Sequence, residues 1–252
     1  MGVLLFVGLL LSFPLLYVTP VVTYHSINDH SPTHSYFNTV TPQVFAQQMD
    51  FLAKRGYRVL SMDEYVKGLN SGNNFCCKSV VITFDDGELD NYTTALPILE
   101  QRHFPAAFFV KAISHPEKNE MSSDQVKDAA ARGITIGSHT STHAYLPKCT
   151  SAQKEQEIVG SKKLLEAVLG SPVNYLAYPT GGYDDEVKQI ARKAGYTAAF
   201  TTNRGPGRFN RDFWAIKRMR LKNSDTDLIL WFKLSGFYNL FRETRGASRK
   251  EE

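Results

Sequence analysis

Two short stretches hold most of the side chains able to do chemistry. In "VVITFDDGELDN", residues 80 to 91, an apolar run ends on adjacent carboxylates, Asp85 and Asp86, followed by Gly87. In "SHTSTHAYL", His139 and His143 stand four positions apart. Like charges side by side at the end of an apolar strand are opposed by repulsion and by desolvation. A divalent cation removes that objection, because it gives one carboxylate a countercharge and leaves the other free. Two histidines in a short turn together with one carboxylate form an ordinary three-ligand site with open positions. Neighbouring strand residues point to opposite faces, so both carboxylates reach one site only if the chain turns there, and Gly87 supplies the freedom to turn. Each motif also has a plain reading, an Asp-Asp-Gly turn and a polar loop that contains two histidines.

Such residues need a frame, and from residue 20 onward the chain alternates strand and helix patterns. "PVVTYHSI" is followed by "TPQVFAQQMDFLAKRG", in which Thr41 is an N-cap, Pro42 the first helical residue and Gly56 the stop. The strand "YRVLS", the short helix "MDEYVKGL", the strand "SVVITFDD", the helix "DNYTTALPILEQRH" and the strand "PAAFFVKA" come next. A helix at 123 to 132, the strand "GITIGSH", a helix at 151 to 169, the strand "NYLAYP", the helix "DDEVKQIARKAG" and the strand "YTAAFT" continue the series. Helices between strands imply parallel pairing, and the number of units favours an α/β fold of the distorted (β/α)7 barrel type over an open sheet. The Gly-rich phosphate loop of nucleotide-binding sheets does not follow the first strand. In a parallel barrel functional side chains collect at the C-terminal ends of strands. His25, the Asp85 and Asp86 pair, His139 and His143, Tyr178 and Pro179, and the cluster Lys217, Arg218 and Arg220 all lie at such positions.

The chain of 252 residues carries a net charge of +4 with its basic residues scattered, which argues against nucleic acid as the ligand. Residues 1–18 contain no charged side chain and are expected to be a signal peptide or a membrane anchor. Residues 19–241 then form the folded domain and 242–252 a charged tail. Cys149 could pair with Cys76 or Cys77, or all three thiols stay unpaired. The segment 202 to 214 reads as a loop over one mouth of the sheet. The apolar stretch "SDTDLILWFKLSGFYNLF" is expected to close the barrel as a packed helix, with a membrane-surface helix as the alternative.

"TFDDG" together with "SHTSTH" resembles the first two signature motifs of the NodB-homology polysaccharide deacetylases, carbohydrate esterase family 4, and the resemblance extends over about residues 20 to 221. It implies Asp85 as general base and Asp86, His139 and His143 as ligands of a divalent metal, zinc first, with cobalt, nickel or iron as alternatives. Two positions depart from the common pattern. The third motif reads "LAYPTGG", with Ala177 where the family carries an Arg, and no histidine follows His143 to serve as the late general acid. The opening "VVTYHSI" is similar to the branch that includes poly-N-acetylglucosamine deacetylases, whose acid histidine is permuted to the N-terminal side. That comparison implies His25 as the acid and Arg218 as the replacement for the missing Arg. The same resemblance suggests Asp212 and Trp214 as residues lining an acetyl pocket, with Tyr178 and Pro179 nearby. Tyr183, Phe209, Phe213 and Trp214 are candidate aromatic platforms for a sugar.

The expected activity is hydrolysis of N-acetyl groups on an N-acetylglucosamine-containing polysaccharide, at the cell surface, in the periplasm or on a membrane anchor. The chemistry is coherent: a cation of this donor set brings water to a pKa of about 7, and expelling an amine requires a positioned acid, worth about 10²- to 10⁴-fold. A histidine suits that task because its charge changes near neutral pH. Two other readings are a degenerate carbohydrate-binding protein and a deacylase of a lipid-linked sugar.

Overall fold

The computed structural model describes residues 18–29, 38–72, 75, 78–115, 118–203, 210–236 and 238. Residues 1–17 of the expected leader, the tail 242–252, Cys76, Cys77 and Phe209 lie outside them. The strands are β1 (Val21–Tyr24), β2 (Ser26–Ile27), β3 (Thr39–Val40), β4 (Arg58–Val59), β5 (Ser79–Phe84) and β6 (Ala107–Val110), continuing with β7 (Thr135–Ser138), β8 (Tyr175–Ala177), β9 (Ala198–Thr201), β10 (Ile216–Lys217) and β11 (Met219–Arg220). The helices are α1 (Pro42–Lys54), α2 (Met62–Asn70), α3 (Leu96–Glu100), α4 (Ser123–Ala131), α5 (Ser151–Glu155), α6 (Ser161–Leu169), α7 (Asp185–Lys193) and α8 (Asp227–Leu234). Their starts follow from side-chain caps: Thr41, Ser61, Ser122, Thr150 and Asp184 each accept a backbone N–H of the first turn.

The sheet runs β10-β9-β8-β7-β6-β5-β1-β11, every pair parallel. β10 and β11 are two halves of one segment. The first half pairs with β9 and the second with β1, so this segment draws the two edges together into a nearly closed barrel. Arg218 sits at the junction.

Alternation sorts the side chains into two cores. Val21, Val81, Ala107, Phe109, Tyr175, Ala177, Ala198, Phe200 and Ile216 fill the barrel, and Met62, Tyr65 and Val66 of α2 join the same cluster, plugging the end where the strands begin. Val22, Tyr24, Ile82, Phe84, Phe108, Val110, Ile136 and Leu176 face outward into the helix layer. Continuing the inward phase past the strand ends reaches His25, Asp85, Lys111, His139 and Arg218.

Two expected helices differ from a regular form. The helix over "DNYTTALPILEQRH" begins as a π-turn, Asn91–Ala95, before α3. A second π-turn, Gln156–Gly160, separates α5 from α6 inside the expected helix at 151 to 169. Such turns insert one extra residue and re-aim the side chains around them.

Candidate metal centre

β5 delivers Asp85 into the barrel, and its phase would send Asp86 outward. The chain turns one residue earlier than Gly87 alone would require: Asp86 itself has φ 71° and Gly87 φ 69°. Asp tolerates this left-handed conformation better than most residues, and the turn brings its carboxylate back over the strand ends. At Gly87 an added Cβ would stand 3.2 Å from Val110 Cβ, so only glycine passes there without displacement.

The histidine loop leaves β7 and is held at several points. His139 N–H donates to Val110 O at 2.8 Å, and the N–H groups of Ala112 and Ile113 donate to Thr140 O and Ser141 O, both at 3.0 Å. Glu157, on the π-turn, accepts from Ser141 N (3.0 Å), Thr142 N (2.9 Å) and Thr142 Oγ1 (2.6 Å). His143 adopts φ 66°, a strained backbone for a ring-bearing residue. The loop thus presents both rings to the carboxylate: His139 Nε2 is 3.4 Å and His143 Nε2 3.3 Å from Asp86 Oδ1.

These contacts fit a cation better than hydrogen bonds. His139 Nδ1 lies 2.8 Å from Ala177 O, a carbonyl that only accepts, so Nδ1 carries the proton and in the neutral ring Nε2 offers a lone pair. Burial above all pushes the His143 pKa down to about 4, so that ring is neutral near pH 7. Lone pairs converging on a carboxylate oxygen repel unless a positive charge lies between them. Ligands about 2.0–2.1 Å from one tetrahedral ion stand roughly 3.3 Å apart, which matches the spacing seen. Asp86, His139 and His143 are the one such donor group among the described residues.

Asp85, 2% exposed, faces Arg218, 1% exposed. The guanidinium donates to both oxygens, Nη1 to Oδ1 at 2.6 Å and Nη2 to Oδ2 at 2.7 Å. Nη1 also reaches Thr83 Oγ1 at 3.2 Å and Thr23 Oγ1 at 3.4 Å, both inside the barrel. Burial drives the Asp85 pKa up, but the Arg218 guanidinium leads the charges that outweigh it and hold the carboxyl below its ordinary value. His25, buried at the end of β1, is within electrostatic reach of Asp85. The segment after "TFDDG" clamps its backbone: Asn91 Nδ2 donates to His25 O at 2.6 Å, while Asp90 accepts from Ser26 Oγ at 2.6 Å and Ile27 N at 2.9 Å.

The remaining sequence-derived residues are placed differently. Tyr178 is 1% exposed, its hydroxyl donating to Trp214 O at 2.9 Å and its ring stacking on Tyr183 at 5.4 Å. It faces the helix layer, so it packs and does not line an open pocket, and Pro179 is buried beside it. Tyr183 and Phe213 also pack, the first in the outer core and the second against the inner one, so neither is an open sugar platform. Asp212 pairs with Lys188 of α7 at 2.6 Å and accepts Trp214 N–H at 2.9 Å, and Arg192 of α7 covers the Trp214 ring at 5.1 Å. Cys149, one of the three thiols whose pairing the sequence left open, is free, and its Sγ lies 3.6 Å from Tyr145 O.

The cavity over the metal donors, about 350 Å³, is lined by residues that the sequence reading passed over. Besides Asp86 and His143 it has Glu88, Lys111, His115 and Glu120 in its wall. Lys111 pairs with Glu120 at 2.7 Å, and Glu120 accepts His115 N–H at 2.8 Å. Lys111 ends "FFVK" in the inward phase of β6, and that position at a strand's C-terminal end was the available signal.

The polysaccharide deacetylase family model matches residues 72–199, and YxkH of Bacillus subtilis (strain 168), assigned by name to the polysaccharide deacetylases, is 32% identical over 80% of this chain and 71% of its own. The chain belongs to the polysaccharide deacetylase family. Members of that family hydrolyse amide bonds, and the barrel agrees: the Streptococcus pyogenes deacetylase PplD, solved in complex with acetate, superposes with a TM-score of 0.78 at 27% identity, covering 86% of this chain and 99% of that one. The poly-β-1,6-N-acetyl-D-glucosamine N-deacetylase of Staphylococcus epidermidis is 24% identical over 83% of this chain and 81% of its own. This deacetylase therefore carries the family's barrel over nearly all of its described length. No described helix is long and apolar enough to cross a membrane.

Proposed function

We propose that the chain is a metal-dependent N-deacetylase of an N-acetylglucosamine-containing polysaccharide outside the cytoplasm, with the β-1,6-linked polymer as its first substrate. The observation that carries this reading is the convergence of two imidazole nitrogens on one oxygen of Asp86, three donors in all, beside a second carboxylate neutralised separately by Arg218. The donor set suits zinc, with cobalt, nickel or iron able to replace it. When bound, such an ion supplies Lewis acidity to the acyl carbonyl and acidifies water. Asp85, kept ionised by Arg218, takes the proton of the attacking water, and Arg218 acts as a positioning residue. His25 gives a proton to the departing nitrogen as the C–N bond breaks, so acetate and a free amine leave. Residues 19–241 form the catalytic domain, and residues 1–18 serve as export signal or anchor. The substrate assignment is supported by the similarity to the S. epidermidis enzyme.

Acetate release from β-1,6-linked and peptidoglycan oligomers, with chelator and metal add-back, tests the proposal. Activity should vanish with chelator and return with zinc, and the β-1,6 oligomer should be preferred. Asp85→Asn should bind metal and release no acetate. Turnover retained in that variant would sink the base assignment. A purified protein with neither stoichiometric metal nor acetate release would be a carbohydrate-binding protein instead.

A further inference from the structure

α8 divides its apolar side chains between two faces. Leu230 and Leu234 are buried against the barrel, whereas Leu228 is 72% exposed, Ile229 42%, Trp231 51% and Phe232 38%. At about 100° per residue the four outward side chains occupy one continuous arc of roughly 160°. Asp227 and Lys233 fall outside that arc, and Lys233 is tied to Asp225 at 2.6 Å. The other large apolar side chains exposed among the described residues, Ile113 and Leu164, stand singly. Isolated exposed residues need no explanation, but a contiguous apolar face does.

A second observation says what covers it. Val18 N–H donates to Gly236 O at 3.0 Å, just beyond the end of α8, so the chain enters the fold at the foot of this helix. The residues before it, 1–17, contain no charged side chain, a composition and length of the class that partitions into a bilayer. Tryptophan and phenylalanine are the side chains that settle at the headgroup boundary.

We propose that the outward face of α8 seats the protein on a lipid bilayer, with Leu228, Ile229, Trp231 and Phe232 entering the acyl boundary beside the point where residues 1–17 join the fold. α8 follows Leu221, whose N–H donates to Thr23 O near the C-terminal ends of the strands, and ends beside Val18, ahead of β1. It therefore runs down the flank of the barrel. Seated this way, the barrel lies along the membrane and its mouth opens parallel to the surface, where a polymer lying on the membrane would meet it.

The chain has two tryptophans, so Trp214→Phe leaves Trp231 as a reporter within this face. The full-length variant is mixed with phosphatidylethanolamine–phosphatidylglycerol vesicles, with and without bromine on the acyl chains. Trp231 emission should shift blue on vesicle addition and lose most of its intensity when the lipid is brominated. Adding Leu228→Ser and Ile229→Ser should weaken that quenching while the protein still floats with the vesicles. Failure to float, or flotation with Trp231 unquenched by brominated lipid, would overturn the proposal. So would emission already blue before lipid is added and unchanged afterwards, since residues 1–17 or a second copy would then cover the face.

Discussion

Replacing Arg218 by methionine isolates what the guanidinium does for Asp85. Methionine keeps an unbranched stem beside Phe109, over whose ring the Arg218 Cζ lies at 5.2 Å, and removes only the charge and its hydrogen bonds. Both partners of the pair are almost fully buried, so water cannot take the place of the lost donors at 2.6 and 2.7 Å. Breaking a buried ion pair from one side costs about 3–5 kcal/mol, because the other charge stays behind without compensation. In a chain of this size that corresponds to a melting temperature lower by roughly 6–20 °C, at about 2–4 °C per kcal/mol. Guanidinium denaturation in the presence of chelator measures it, since chelator removes any stabilisation that a metal, if bound, would add to the folded state. The double variant Arg218→Met with Asp85→Asn should recover more than half of the loss, because a neutral amide no longer leaves a charge buried. Two results would refute the reasoning: a cost below about 1 kcal/mol, as expected for an exposed pair, or a double variant no more stable than Arg218→Met.

Three further outcomes follow from the same geometry. Glu157→Ala removes three hydrogen bonds from the loop carrying His139 and His143 and should weaken zinc binding about 10- to 100-fold in competition with a chromophoric chelator, the range for residues that orient ligands; unchanged affinity would show that the loop holds its shape alone. Asn91→Ala releases the His25 backbone and should slow amide hydrolysis more than hydrolysis of an aryl acetate, whose leaving group needs no acid; His25→Ala should give the same pattern, and equal losses on both substrates would remove the acid assignment. Burial pushes the Asp184 pKa up, but the hydrogen bond from Lys154 prevails and holds it below its ordinary value, so this pair stabilises the fold above about pH 4 and the contribution fades as pH falls through the lowered folded value. Lys154→Met should therefore flatten the acid limb of the stability profile, by at most about 1 kcal/mol because Asp184 is partly exposed; an acid limb as steep as in the unaltered protein would contradict it.

The parts of the fold that were legible in the sequence are those set by neighbours in the chain. The cap at Thr41 and the apolar run "SVVITF" depend on residues one to four apart, and they became the helix start and the strand expected. The π-turns were not legible, because Asn91–Ala95 and Gln156–Gly160 keep the composition of ordinary helices and their extra residue is selected by distant partners. Those partners are site residues in both cases, His25 O for Asn91 and the Ser141–Thr142 backbone for Glu157. Tyr178 shows a related limit: a tyrosine at a strand end suggests a site, and only the fold shows that its phase points to the helix layer, with its hydroxyl donating to Trp214 O.

Arg218 was the hardest residue to place from the sequence, and the fold explains why. Its segment, "AIKRMRL", reads as one more short strand, and nothing in it shows that its first half pairs with β9 and its second with β1. The residue at the changeover belongs to neither ladder and continues the inward phase, so its side chain must enter a barrel lined there by Thr23 and Thr83. A buried guanidinium is tolerated only with a buried anion, and Asp85 is the carboxylate that β5 delivers to the same level. Closing the barrel and orienting this carboxylate are therefore one structural event. Asp86 escapes the arginine because its left-handed backbone turns it away, and that single conformational difference separates two adjacent carboxylates into one held by a guanidinium and one offered to a metal.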